Sequence, residues 1–193
     1  MLRRARERLE ATKLRKGKLT LVEGDMTAFD LDQKFGLIFV AANTFQHLLT
    51  TAQQRDCLRC VAAHLALGGI FACSIRSPAS VTWEEGDGWA PLLLHWARTD
   101  PDTGETLIKQ CAEQPDPSRM VRRLTYVYDR VQRDGSMKRA VFTADLRYSS
   151  QAEMELLLQQ QGLHVTHVYG DYDLTPVGQG DNLIFVARAE DRR

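Results

Sequence analysis

Apolar residues fall in short continuous runs through the first half of the chain. Leu19-Thr20-Leu21-Val22, Leu37-Ile38-Phe39-Val40-Ala41-Ala42 and Ile70-Phe71-Ala72-Cys73-Ser74-Ile75 are three such runs. Runs of this length predict strands buried on both faces of a parallel sheet. Between the second and third, Leu58, Val61 and Leu65 recur at helical spacing within Thr51–Ala66, with Gln53, Gln54 and Arg55 on the other side. Gly68-Gly69 predicts the end of that helix and the turn into the next strand. Strand, helix, strand in this order predicts a right-handed crossover and an α/β layer.

The second half changes period. Glu105–Cys111, Arg119–Val131 and Ser136–Tyr148 alternate in twos. Leu124, Tyr126 and Tyr128 share one strand face, as do Ala140, Phe142, Ala144, Leu146 and Tyr148. Arg133-Asp134-Gly135 is a hairpin signal between the last two runs. An antiparallel sheet is therefore expected over roughly residues 93–147, inserted into a single domain spanning 1–193. A helix follows: Ser150-Gln-Ala-Glu153 reads as a capping box, Met154, Leu157 and Leu158 as its apolar face, and Gly162 as its stop. Two closing strands, His164–Tyr169 and Asn182–Ala187, are joined by a loop rich in Gly, Asp and Pro.

Composition narrows the class of protein. The 193 residues are 44% apolar and 26% charged, with 25 Lys+Arg against 25 Asp+Glu. This excludes a disordered or fibrous chain, and a net charge of zero gives no argument for nucleic acid or an anionic membrane as partner. No apolar run is long enough to span a bilayer. Residues 1–18 carry Leu2, Ala5 and Leu9 at helical spacing, with Gly17 as a stop. Glu7 and Glu10 argue against a mitochondrial presequence, and no apolar segment of a secretion signal follows. The helix begins without a cap or a preceding strand, so the chain reads as starting inside an element. The four cysteines, Cys57, Cys60, Cys73 and Cys111, read as free thiols of a reducing, cytoplasmic setting. Cys57-x-x-Cys60 has no second pair and no histidine cluster to make a metal site, so none is assigned.

Ligands of open parallel sheets bind beyond the strand C-termini. Three segments occupy such ends: Glu23-Gly24-Asp25-Met26, Ala41-Ala42-Asn43-Thr44-Phe45-Gln46-His47, and Arg76-Ser77-Pro78. Small residues let a ligand approach the backbone, Asn43 offers a donor and an acceptor, and Asp25 can accept from an amino group.

The run KLTLVEGDMTAFDLDQKFGLIFVAANTFQHL, the later HLALGGIFACSI and the tail LRYSSQAEMELLLQQQGLHVTHVYGDYD with NLIFVARA resemble class I S-adenosylmethionine-dependent methyltransferases. The likeness covers most of residues 1–76 and 145–189, and is to the small-molecule branch with an antiparallel insert before the last helix. It implies an α/β, Rossmann-like, mostly parallel sheet, with helix 1–16 following the family's second strand. It implies S-adenosyl-L-methionine as cofactor and a small-molecule methyl acceptor as partner. Asp25 then meets the adenine amino group and Met26 frames the adenine. Ala42 and Asn43 lie beside the sulfonium methyl, while Phe45, Gln46 and His47 flank the cofactor or the substrate entrance. Arg76, Tyr148 and Tyr169 are candidates for acceptor contact, and no catalytic residue is assigned. Gly36 departs from the family's usual Asp.

The family's first strand, its glycine-rich loop and the acid that holds the ribose are expected before residue 1. No G-x-G-x-G follows a strand here, and Gly178-Gln179-Gly180 precedes one, so it reads as a loop. The implied chemistry is direct in-line displacement, which asks for alignment and water exclusion rather than a triad. Without the glycine loop, cofactor binding is expected to be weak. The alternative is a non-catalytic binding or assembly subunit derived from a methyltransferase, self-associating through an exposed sheet edge. His164 and His167, three apart in a strand, are expected on opposite faces and so are poor metal partners. No H-E-x-x-H, P-loop or G-x-S-x-G motif occurs. Trp83, Trp89 and Trp96 gather near the start of the insert.

Overall fold

A computed structural model of the protein describes residues 2–11, 19–81 and 90–189. Trp83, Trp89 and the predicted stop at Gly17 lie outside them. The first helix, α1, is Leu2–Ala11. Then come β1 (Phe35–Val40), α2 (Thr51–His64) and β2 (Leu65–Arg76). The insert supplies β3 (Leu93–Thr99), β4 (Thr106–Asp116), β5 (Val121–Val131) and β6 (Met137–Arg147). Helix α3 (Gln151–Gln160) leads to β7 (Leu163–Tyr169) and β8 (Asn182–Ala189).

Two four-stranded sheets result, in the orders β1-β2-β8-β7 and β3-β4-β5-β6. In the first, β1 and β2 are parallel, while β2–β8 and β8–β7 are antiparallel. The second is antiparallel throughout. The α/β layer with an antiparallel sheet ahead of the last helix is thus present. The parallel part among the described residues is one pairing.

One face of the first sheet carries the core. Phe71, Cys73 and Ile75 of β2 stand opposite Ala187, Phe185 and Leu183 of β8. Against them pack Cys57, Leu58 and Val61 of α2 and Met154, Leu157 and Leu158 of α3. Each fully buried side chain of this size contributes about 1.5–3 kcal/mol. Ile38 and Val40 of β1 join the same cluster. Leu37 and Phe39 point the other way and are 55% and 66% exposed. The expectation that this run is buried on both faces fails because α2 and α3 cover a single face.

Three local expectations are also corrected. Leu19–Val22 forms no strand, and Leu19 and Val22 are exposed. A strand needs a hydrogen-bonded neighbour, and β1 pairs only with β2 among the described residues. Gly68-Gly69 does not end the second helix: α2 stops at His64, and β2 begins at Leu65 and runs through the glycines, with Gly68 at φ 69°. The capping box of α3 is half formed. Ser150 accepts from the Glu153 amide at 3.2 Å, but the Glu153 carboxylate turns to Arg147 instead. A complete box sits on α2, between Thr50 and Gln53.

His164 and His167 do not face apart. A register shift after Val165 sets His164 opposite Arg188 and His167 opposite Val186, two residues of one face. The hairpin at Arg133-Asp134-Gly135 is as expected, with Gly135 at φ 83° and the Gln132 amide bonded to the Ser136 carbonyl.

Candidate functional site

The C-terminal ends of β1 and β2 lie at one end of the first sheet. The antiparallel register brings the start of β8 and the end of β7 to the same end, since Arg76 stands opposite Asn182 and Tyr169 opposite Ile184. Ala42, Asn43, His47, Arg76 and Tyr169 therefore share one sheet end.

The turn after β1 has an uncommon backbone. Ala42 (φ 56°) and Asn43 (φ 59°) are both left-handed, a conformation that costs an alanine roughly 1–2 kcal/mol. The reversal drives the chain into a 3-10 turn at Thr44–His47, held by the Thr44 amide on the Ala41 carbonyl and the Gln46 amide on the Asn43 carbonyl. The Asn43 Oδ1 atom is buried without a hydrogen-bond partner among the described residues. A buried acceptor left over in this way suits a ligand that brings N–H groups or positive charge. His47 ends the turn with its ring exposed. Phe45 is 0% exposed and belongs to the core, because the 3-10 turn aims it inward.

Arg76 bonds the Ser80 hydroxyl through Nε at 3.2 Å and pairs with Asp181 at 3.5 Å. Its own amide donates to Gln46 Oε1 at 3.0 Å. Tyr148, the second candidate for acceptor contact, is 2% exposed. Burial pushes its phenol up, and Arg122, whose guanidinium hydrogen-bonds the phenol, offsets part of that. Arg122 also pairs with Glu113 at 2.7 Å. Tyr169 is half-buried and stacks on His167, ring centroids 5.7 Å apart.

Asp25 and Met26 sit on a separate loop. The Asp25 carboxylate accepts from the Thr27 amide and hydroxyl, each at 2.8 Å, and these bonds hold its pKa below the ordinary carboxylate value. Its hydrogen bonds stay within its own turn among the described residues, so the carboxylate is exposed and ionised. Met26 packs on the core beside it. The loop is fastened to α2 by the Cys60 thiol on the Thr27 carbonyl and by His64. His64 Nε2 accepts from the Leu31 amide at 2.9 Å, and Nδ1 bonds the Cys60 carbonyl at 2.8 Å. That ring is used up in structure. The polar cleft of about 550 Å³ beside it, at Asp30, Lys34 and Cys60, lies at the opposite end of β1 from Asn43.

Several residues that fix this geometry carry no sequence signal of their own. Buried Gln46 joins β2 to the insert by donating to the Arg147 carbonyl. Arg147 donates to Gln54 Oε1 at 2.6 Å, to Ser149 at 2.9 Å and to Glu153 at 2.5 Å, locking the end of β6 onto α2 and α3. Tyr172 reaches Ser74 on β2 at 2.8 Å. The Gly178–Gly180 segment is a loop, as expected. Gly180 packs so close to Gly170 that an added Cβ would meet its carbonyl oxygen at 2.4 Å.

Neither a family model nor a curated protein matches the sequence. Solved structures do. An S-adenosylmethionine-dependent methyltransferase from Clostridium acetobutylicum ATCC 824 superposes with a TM-score of 0.80 at 17% identity, covering 98% of this chain and 71% of that one. The CcbJ methyltransferase from Streptomyces caelestis gives 0.68 at 24%, covering 88% and 63%. SAM-bound CalS10, an amino pentose methyltransferase from Micromonospora echinaspora involved in calicheamicin biosynthesis, gives 0.65 at 21%, covering 86% and 63%. The chain therefore has the fold of S-adenosylmethionine-dependent methyltransferases, over roughly two thirds of their length. No helix among the described residues is long and apolar enough to cross a membrane.

Proposed function

We propose that this protein takes part in methyl transfer from S-adenosyl-L-methionine to a small-molecule acceptor. The observation that carries the reading is the turn after β1. Two successive left-handed residues leave the Asn43 acceptor buried and unmatched at the ligand end of a methyltransferase fold. Backbone strain of this kind persists where a site requires it.

S-adenosyl-L-methionine supplies a methyl group already activated on a sulfonium. The chain's own residues bind and align. Asn43 Oδ1 offers an acceptor to the donor groups of the cofactor, and Ala42 leaves room for close approach of the backbone. Asp25 is ionised and free to accept from the adenine amino group, with Met26 packed at its side. An amine or hydroxyl acceptor loses a proton as it is methylated, and the exposed His47 imidazole on this turn is placed to accept it. Arg76 and Tyr169 border the same sheet end and are placed as acceptor contacts. The insert at residues 93–147 serves as lid and acceptor platform within one domain. An amino sugar is the acceptor class that fits the amino pentose methyltransferase among the structural neighbours.

The test is transfer of labelled methyl from S-adenosyl-L-methionine to a panel of amino sugars. Transfer that falls at least about tenfold in Asn43→Ala supports the reading, and transfer unaffected by it contradicts the reading.

A second reading is favoured by the open face of β1. Leu37 and Phe39 project from a strand that is paired on one side only among the described residues. An exposed apolar edge of this kind drives association. A binding or assembly subunit with no catalysis would show self-association and no methyl transfer.

A further inference from the structure

We propose that the insert sheet carries a divalent-metal site, of zinc type, built from His95, Cys111 and Glu113. The His95 ring nitrogen, the Cys111 sulfur and a Glu113 carboxylate oxygen all lie within 4.8 Å of one another. Ligand atoms of a tetrahedral zinc are separated by about 3.5 Å, given bonds of roughly 2.0–2.3 Å. His95 is exposed, so its side chain is free to rotate toward the other two.

The backbone places the donors on one face. Leu93 stands opposite Cys111 and Trp96 opposite Lys109, with a register shift between Leu94 and Trp96. His95 is the extra residue of that bulge, and bulges re-aim side chains in this way beside functional sites. Cys111 and Glu113 are two apart on β4 and share that face. Arg122 bonds Glu113 through Oε2 at 2.7 Å, which fixes the carboxylate in place. Sulfur, nitrogen and oxygen donors together suit zinc, and three protein ligands leave a fourth position for water or a ligand atom.

Binding is balanced by one proton. The Cys111 S–H bond breaks, the sulfur–metal bond forms, and the proton goes to solvent. Burial and the Glu113 carboxylate hold the metal-free thiol protonated, with Lys109 and Arg122 opposing them.

The probe is Co2+, titrated into the full chain under a thiol-free reductant. The expected result is a thiolate-to-cobalt charge-transfer band that saturates at one equivalent and is displaced by Zn2+. Cys111→Ser should abolish the band. His95→Ala, at an exposed position that leaves folding intact, should weaken binding by more than about tenfold. No band at about a tenfold excess of Co2+, or a band of equal affinity in His95→Ala, overturns the proposal. Neither outcome depends on methyl transfer.

Discussion

Gln46 donates its side-chain amide to the main-chain carbonyl of Arg147 at 3.2 Å, joining the turn after β1 to the end of the insert across 101 residues. The same side chain accepts from the Arg76 amide at 3.0 Å. One buried glutamine thus holds three segments at the candidate site in register. Gln46→Leu keeps the volume and strands a buried donor and a buried acceptor. The expected cost is about 2 kcal/mol. For a chain of this size that lowers the melting temperature by about 4–8 °C, read by calorimetry.

Arg147 supports the same junction with its side chain. Its side chain binds Gln54, Ser149 and Glu153. Arg147→Met removes a charge from largely buried partners and should cost about 3 kcal/mol. Adding Glu153→Gln should recover part of the loss, because the orphaned carboxylate is then neutral. A double-mutant cycle in urea checks this. Additive losses would mean that the two side chains are not coupled.

Much of this arrangement was legible in the sequence, and what was missed has physical reasons. The period-two runs marked β4, β5 and β6, and Met154, Leu157 and Leu158 marked the buried face of α3. Local spacing sees such elements because the alternation and the helical period are written in neighbouring residues, although β6 buries neither face. The failures concern pairing. Among the described residues, Leu19–Val22 has the composition of a strand but no neighbour to bond, and Leu37 and Phe39 have the composition of a core but no helix above them. Phe45 is a core side chain whose burial follows from the 3-10 turn, which no residue spacing predicts. The bulges at His95 and after Val165 change which residues share a face, and no residue type announces them. The Thr50–Gln53 capping box is a signal that was there to be read.

Burial governs the core thiols. It pushes Cys57 up to about 12, with Cys60 and Asp25 adding to the shift, and it raises Cys73 further. At pH 8 the folded protein should alkylate at Cys57 about a thousandfold more slowly than a free thiol. Denaturant should abolish the difference. The folded value lies above the unfolded one, so the stabilisation is complete below about pH 8.5 and is lost as pH rises toward the folded value. Mass-mapped alkylation with time decides it. Rapid labelling of Cys57 in the native state would contradict the packing of α2.

The open face of β1 predicts association. Phe39→Lys with Leu37→Thr should leave the fold intact, since both side chains are exposed. It should lower any concentration-dependent mass seen by sedimentation equilibrium. An unchanged dissociation constant would place the contact elsewhere.

The most direct test of the central claim is titration of S-adenosylhomocysteine into the 15N-labelled chain, followed by amide chemical shifts. Such shifts register weak as well as tight binding. Saturable changes confined to Asp25–Met26 and Ala41–His47, and lost in Asn43→Ala, are the predicted result. An unperturbed Ala41–His47 turn at saturating ligand would contradict the assignment of this sheet end as the cofactor site.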